Sequence, residues 1–397
     1  MKNIVFTKFI FSLVLVGFVF SCSEDDSDSP VTPETPATYK FERNGASTIS
    51  YSGQTTRLKQ ADELYSALNS ATSTEAAMDL MFAGDANGQS AGFSDATLNG
   101  TTKLIRSKTS AYANTAANRA IFDSWIAEFA DDVAPNLGGT ASPGVAGDLG
   151  GYQLNAAGQE IDQLFFKSLI GAFALDQIIN NYITPSQLDA AYTETDANGN
   201  QVTIDRRANN TNGVLYNDKN YTEMEHKWDE GFGYLYGQVT DVENNFGLPA
   251  EGEATGNLLM KYFKKVEEVY EPGIAATVYN AFIEGRHAIT IADYAARDAA
   301  AATIKTELSK VIGYYAIHYL NDYLSKAGSG NIAGAHHSIS EGYGFIFSLQ
   351  FTNDGGDQPY MVNDSVNLRL NNFSNFYSIQ DSDVNSLIEE INTLFGF

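Results

Sequence analysis

Two segments of this chain carry the same ionisable pattern. His226-Lys227-Trp228-Asp229-Glu230-Gly231-Phe232-Gly233-Tyr234 is matched by His337-Ser338-Ile339-Ser340-Glu341-Gly342-Tyr343-Gly344-Phe345. Both read His-x-x-x-Glu-Gly-aromatic-Gly-aromatic. On a helix, His and Glu at this spacing share one face, so each segment offers one neutral nitrogen and one carboxylate oxygen. Two such helices meeting would present four ligands, His226, Glu230, His337 and Glu341, of a type suited to iron or zinc. The alternative is that each Glu accepts a hydrogen bond from its own His and braces the packing. The stripe continues through Gly233 and Gly237 in one copy and Gly344 and Ser348 in the other, a groove small enough for a second helix to approach closely.

A third polar stripe, Glu160, Gln163 and Lys167, runs along an otherwise apolar stretch from Gly158 to Ile183. Burying either charge alone is costly, so these residues imply pairing in the interior or contact with a ligand in a wet cavity. Glu284-Gly285-Arg286-His287 reads as a surface or structural pair, and His318 as a satisfied core histidine. Asp196, Asn198 and Asn200 imitate the start of a calcium loop, but Gly199 stands fourth instead of sixth and Arg207 occupies the twelfth position, so no calcium is expected. The chain has no His-Glu-x-x-His, Gly-x-Ser-x-Gly or P-loop sequence, and no catalytic residue is assigned.

The N-terminus carries Lys2 and Lys8 ahead of an apolar run from Phe9 to Phe20, the pattern of a signal peptide over residues 1–21. Val19-Phe20-Ser21-Cys22 resembles a lipobox, which makes Cys22, the only cysteine, the expected lipidation site. The acidic tract after it resembles the signal that sends some Bacteroidetes lipoproteins to the outer face of the outer membrane. Residues 22–38 also read as a flexible tether. A formal net charge of −25 argues against nucleic acid and against an anionic membrane surface as partners. It is compatible with a cationic or metal ligand.

The elements that must position the paired residues are helical. A short β-ribbon is expected around Asn44-Gly45 and a hairpin around Asn198-Gly199. Helical spacing covers Gln60 to Ala71, Thr101 to Val133 with a break near Asn114, Gly158 to Ile183, Tyr221 to Val242, Gly256 to Val269, Gly273 to Asp298, Ala299 to Ser325, and Ser382 to Phe395. Ala134 to Ala157 is a glycine-rich loop whose length marks it as functional or mobile.

A second match, Lys167-Ser168-Leu169-Ile170-Gly171-Ala172 with Ser309-Lys310-Val311-Ile312-Gly313-Tyr314, occurs in the same order relative to the His/Glu segments. The expected fold is therefore all-α: a helical domain over residues 39–397 made of two related bundle units, about 39–245 and 246–397, with hairpin insertions concentrated in the first. The leader, the two His/Glu segments and the Lys-Ser-Leu-Ile-Gly-Ala helix resemble a Bacteroidetes lipoprotein family built on a domain of unknown function. More remotely, the chain is similar to imelysin-like proteins, which resemble paired four-helix bundles and carry a Gly-x-His-x-x-Glu motif linked to peptidase activity or iron acquisition. Gly334-Ala335-His336 matches the start of that motif, but Ile339 stands where its Glu would be. These readings lead to a surface- or outer-membrane-anchored binding lipoprotein for a metal ion, a metal complex or another small molecule. The alternatives are an imelysin-type metallopeptidase and a purely structural lipoprotein.

Overall fold

A computed structural model describes residues 34–111, 115–195, 198–254, 256–356 and 358–397. The signal peptide, Cys22 and the tether up to residue 33 lie outside the described residues, as do Asn114 and Asp196. The chain opens with the expected ribbon, β1 (Glu42–Arg43) paired antiparallel with β2 (Ala46–Ser47). Its turn holds Asn44 and Gly45 at φ 54° and 77°, the left-handed values that Asn-Gly tolerates.

Helices follow: α1 (Ser52–Ala67), α2 (Glu75–Ala83) and α3 (Thr115–Glu128). The hairpin β3 (Gly147–Leu149) and β4 (Tyr152–Leu154) precedes α4 (Ile161–Leu169), and α5 (Pro185–Leu188) precedes the predicted hairpin, β5 (Ala191–Thr195) with β6 (Gln201–Asp205). After α6 (Arg206–Thr211) come α7 (Glu223–Tyr236), α8 (Leu259–Val269), α9 (Ile274–Thr290), α10 (Tyr294–Gly328), α11 (Ile332–Ser348), α12 (Asn363–Asn371) and α13 (Asp381–Phe395). The fold is all-α with small two-stranded insertions, and Thr35–Phe397 form one unit. Among the described residues no helix is long and apolar enough to cross a membrane.

Three sequence expectations change. Residues 101–111 are not helical beyond a single tight turn at Arg106–Lys108. Ser110 sits at φ 50°, and the Arg119 guanidinium donates to the carbonyls of Ser107 and Thr109, fixing them in an irregular path. The stretch from Ala134 to Ala157 contains the β3–β4 hairpin instead of being all loop. The break between α9 and α10 falls at Ile291–Asp293, with Ala292 at φ 57° and the Asp293 side chain capping Ala296, so α10 runs unbroken through 298 and 299.

The predicted central helix is observed, in a modified form. After α4 the backbone widens into π-helical turns at Ile170–Leu175 and Gln177–Tyr182. Phe165, Phe166, Leu169, Ile170 and Phe173 are fully buried there, with Phe122, Trp125 and Phe347 packed edge-on around Phe165 or one another.

The small-residue groove also forms. A Cβ placed on Gly344 would lie 2.3 Å from Lys167 Cβ and 2.7 Å from the Ser168 backbone nitrogen, and one on Gly171 would lie 2.3 Å from Ser348 Cβ. α11 therefore packs on α4 at a separation that only glycine permits. On α7, a Cβ at Gly233 would lie 2.4 Å from Tyr51 Cβ, so the same motif brings α7 against the start of α1.

Candidate functional site

The contact between α4 and α11 places the second His/Glu pair beside the Glu160 stripe. Asn331 caps α11 by accepting from Gly334 N, and Glu160 stands immediately before α4, its own N–H donating to Ser340 Oγ at 3.0 Å. His337 Nδ1 lies 2.6 Å from Glu160 Oε2, and His337 Nε2 lies 3.4 Å from Glu341 Oε2. Lys167 Nζ is 3.3 Å from Glu341 Oε1, which also accepts from the Tyr319 hydroxyl at 3.0 Å. The Tyr262 ring lies beneath Lys167, with Nζ 5.4 Å from its centroid. Tyr152, from β4, stacks on the His337 ring at 4.5 Å and 13°.

This cluster is closed at one end and open at the other. The Lys167 and Glu160 side chains are 4% and 6% exposed, whereas His337 is 25% exposed. Burial pushes the Glu160 carboxyl up to about 7, against the lowering effect of its hydrogen bond to His337. Burial also disfavours the charged form of His337, but Glu160 and Glu341 outweigh it, and the imidazole is raised above its ordinary value. Lys167 is held protonated, because Tyr262 and Glu341 more than offset its burial. The arrangement holds a proton between an imidazole and a carboxylate near neutral pH, beside the Lys167–Glu341 ion pair.

The first His/Glu pair is built separately. A capping box, with Thr222 and Glu225 bonding each other's backbone, starts α7. His226 stacks on Tyr221 at 4.8 Å, its Nδ1 is buried without a hydrogen-bond partner, and its Nε2 is 3.9 Å from Glu230 Oε2. Glu230 is taken up by Lys227 at 2.7 Å and by the Gln54 amide at 2.9 Å. Burial lowers the pKa of His226, so this imidazole is neutral at pH 7.

These donor sets do not suit a metal ion. In the α11 cluster the two imidazole nitrogens face carboxylates on opposite sides of the ring, and an ammonium occupies the position beside Glu341 that a cation would need. In the α7 pair, Glu230 is engaged by Lys227 and Gln54, leaving a single nitrogen. No group of three or more His, Cys, Asp or Glu among the described residues is placed to hold a metal.

The structure thus brings together Glu160, Lys167, His337 and Glu341. Gln163 points elsewhere, donating to the Tyr65 hydroxyl at 3.0 Å and to Asp162 at 2.8 Å, and the His226/Glu230 pair has its own partners. His336 lies apart from His337, its Nδ1 2.7 Å from the Gly158 carbonyl oxygen. His318 is exposed instead of lying in the core, since only part of the α10 surface is covered, and its Nδ1 meets the Tyr270 hydroxyl at 2.7 Å. Arg286 is fully buried and structural, bonding Asp229 and Glu225 at 3.0 Å each.

Sequence reasoning missed Tyr152, Tyr319 and Tyr262, which complete the cluster. Tyr152 lies in the glycine-rich stretch whose length marked it as functional or mobile, and that was the only available signal. No curated protein and no solved structure matches the chain. Residues 36–397 match the family model described as Domain of unknown function (DUF4856), and the chain belongs to that family.

Proposed function

We propose that the chain is a binding lipoprotein, anchored in the outer membrane by a lipid on Cys22 and exposed at the cell surface, whose ligand engages His337 and Glu160. The ligand is a small polar organic molecule or a metal complex that brings its own donors, because the side chains do not form a cage for a bare ion. The observation that carries this reading is the partly open His337 imidazole, held between Glu160 and Glu341 and covered by the Tyr152 ring, with Lys167 paired to Glu341. A flat, hydrogen-bonding ligand can take the place of Tyr152 on the His337 face and share the Glu160 proton. Binding and catalytic sites use perturbed groups of this kind.

Native mass spectrometry of protein released from the envelope of its host tests the reading. A bound species is expected on the wild type and absent from His337→Gln. Two ligand-free spectra, or a bound species unaffected by His337→Gln, would reject it. The anchor is tested separately by labelling with a radioactive fatty acid, which Cys22→Ser should abolish.

The opposing structural reading has its own support in the buried Lys167–Glu341 pair, which links α4 to α11 whether or not anything binds. It is the role left standing if no ligand is found.

A further inference from the structure

The α7 copy of the His/Glu motif has no part in the Glu160–His337 cluster, but it shapes a cleft of its own. Phe232, between the motif glycines, stacks on Tyr39 at 3.7 Å and 6°, and its ring centroid lies 5.7 Å from that of Tyr51. Gly233 leaves room for Tyr51, whose Cβ would lie 2.4 Å from a methyl there, and the Thr55 hydroxyl donates to the Gly237 carbonyl at 2.7 Å. The motif thus fixes the chain from Tyr51 to Thr55 against α7, as its second copy fixes α11 against α4.

That chain lines one side of an open cleft of about 520 Å³, within the range of ~300–1,000 Å³ common for small-ligand sites. Ser47, Ser50, Tyr51, Ser52 and Thr55 bring five hydroxyls to it from the ribbon and the start of α1. Ser47 accepts from the Ile49 N–H at 3.2 Å, and Thr55 is engaged by Gly237. The hydroxyls of Ser50, Tyr51 and Ser52 make no hydrogen bond to the protein among the described residues. Val242 and Glu243, beyond α7, close the other side, with Ile49 as the second aliphatic wall. Glu243 accepts from Thr38 Oγ1 at 3.3 Å and is the one carboxylate in the lining, and among the described residues no lysine or arginine joins it.

This inventory selects a ligand by its chemistry. A hydroxyl both donates and accepts, so a row of them is matched by a molecule that does both at several positions. An anion would meet Glu243 with no compensating cation, in a chain whose net charge is −25. Ile49 and Val242 call for an apolar face on the same molecule. We propose that the cleft beside Tyr51 is a second binding site, for a neutral mono- or disaccharide. The hydroxyls of Ser50, Tyr51 and Ser52 and the Glu243 carboxylate hold the sugar hydroxyls, and the two aliphatic side chains meet its C–H face. The hydrogen bonds to Glu243 are charge-assisted and are the strongest of the set.

The site is tested by saturation-transfer NMR and calorimetry on the folded mature chain. Glucose, galactose, mannose, N-acetylglucosamine, maltose, cellobiose and lactose serve as probes, and sorbitol, an acyclic polyol, as the control. Saturable binding of at least one sugar, and none of sorbitol, is expected. Glu243→Ala should weaken that binding by about tenfold or more, and Tyr51→Phe, which removes only a hydroxyl, by about threefold. Ser52→Trp should fill the cleft and abolish it. Ser52 and Glu243 are exposed, so both of these variants should unfold at the wild-type Tm, which separates lost binding from a folding defect. Binding of none of these sugars, equal binding of sorbitol, or binding that survives Ser52→Trp overturns the proposal.

Discussion

Lys167 and Glu341 form an ion pair 3.3 Å long, their side chains 4% and 12% exposed, that joins α4 to α11 beside the close approach of Gly344 to Lys167. Removing one partner leaves the other charge buried and uncompensated. Glu341→Gln or Lys167→Met is therefore expected to destabilise the chain by about 3–5 kcal/mol. The double variant Lys167→Met/Glu341→Gln should lose much less than the sum, since it leaves neither charge behind. Urea denaturation of the four proteins measures the coupling. Additive losses would mean that the pair does not act as a unit.

The glycines beneath that pair give a second expectation. Gly344→Ala forces a methyl onto Lys167 Cβ and the Ser168 backbone, neither of which is a flexible chain end. A cost of about 1–3 kcal/mol or more is expected from overpacking. Gly328→Ala is the contrast, because a Cβ there meets nothing within 4 Å at the end of α10, and helix propensity should make that change neutral or stabilising by up to about 1 kcal/mol. Equal effects at the two positions would remove the close-approach argument.

This contrast also explains what the sequence could reveal. His-x-x-x-Glu-Gly-x-Gly is a local pattern, so both the shared face and the small-residue groove were readable from spacing alone. The partner of each groove was not, because it depends on which helices the chain brings together. Gly344 meets Lys167 of α4, whereas Gly233 meets Tyr51 at the start of α1. The Glu160 stripe was recognised as polar in an apolar helix, but nothing local showed that its counterpart was His337. Residues 101–111 were misread because apolar spacing survives in a segment whose backbone is held by the Arg119 side chain.

The Glu160–His337 contact should make stability depend on pH in a defined direction. Glu160 is raised to about 7 from an ordinary value of 4.5, so its contribution is fully present below 4.5 and is lost as pH rises through about 7. His337 is also raised, from 6.5, and its contribution is present below that value and lost as pH climbs past its folded pKa. Both signs agree, and Lys326, Asp162 and Glu341 are the other charges bearing on the pair. The stability of wild type relative to Glu160→Gln should therefore fall by up to about 3 kcal/mol between pH 5 and pH 8. Parallel stability curves for the two proteins across that range would show that the pair does not titrate as described.

The metal question can be decided by the arrangement of donors. A tetrahedral zinc or an iron site in a helical bundle needs three or four nitrogen or carboxylate donors converging on one point, with their other atoms held by a second shell. Here the donors diverge. Glu160 and Glu341 sit on opposite nitrogens of His337, and Lys167 and Lys227 already neutralise Glu341 and Glu230. Binding a divalent ion at either place would require expelling an ammonium that is 18% exposed at Lys227 and 4% at Lys167. Dialysis of the mature chain against iron(II) or zinc, followed by elemental analysis, should therefore find well under one equivalent, with His226→Ala and His337→Ala giving the same value as wild type. Stoichiometric metal lost in either variant would show that the helices rearrange on binding, and the closed Lys–Glu geometry would then describe only the metal-free state.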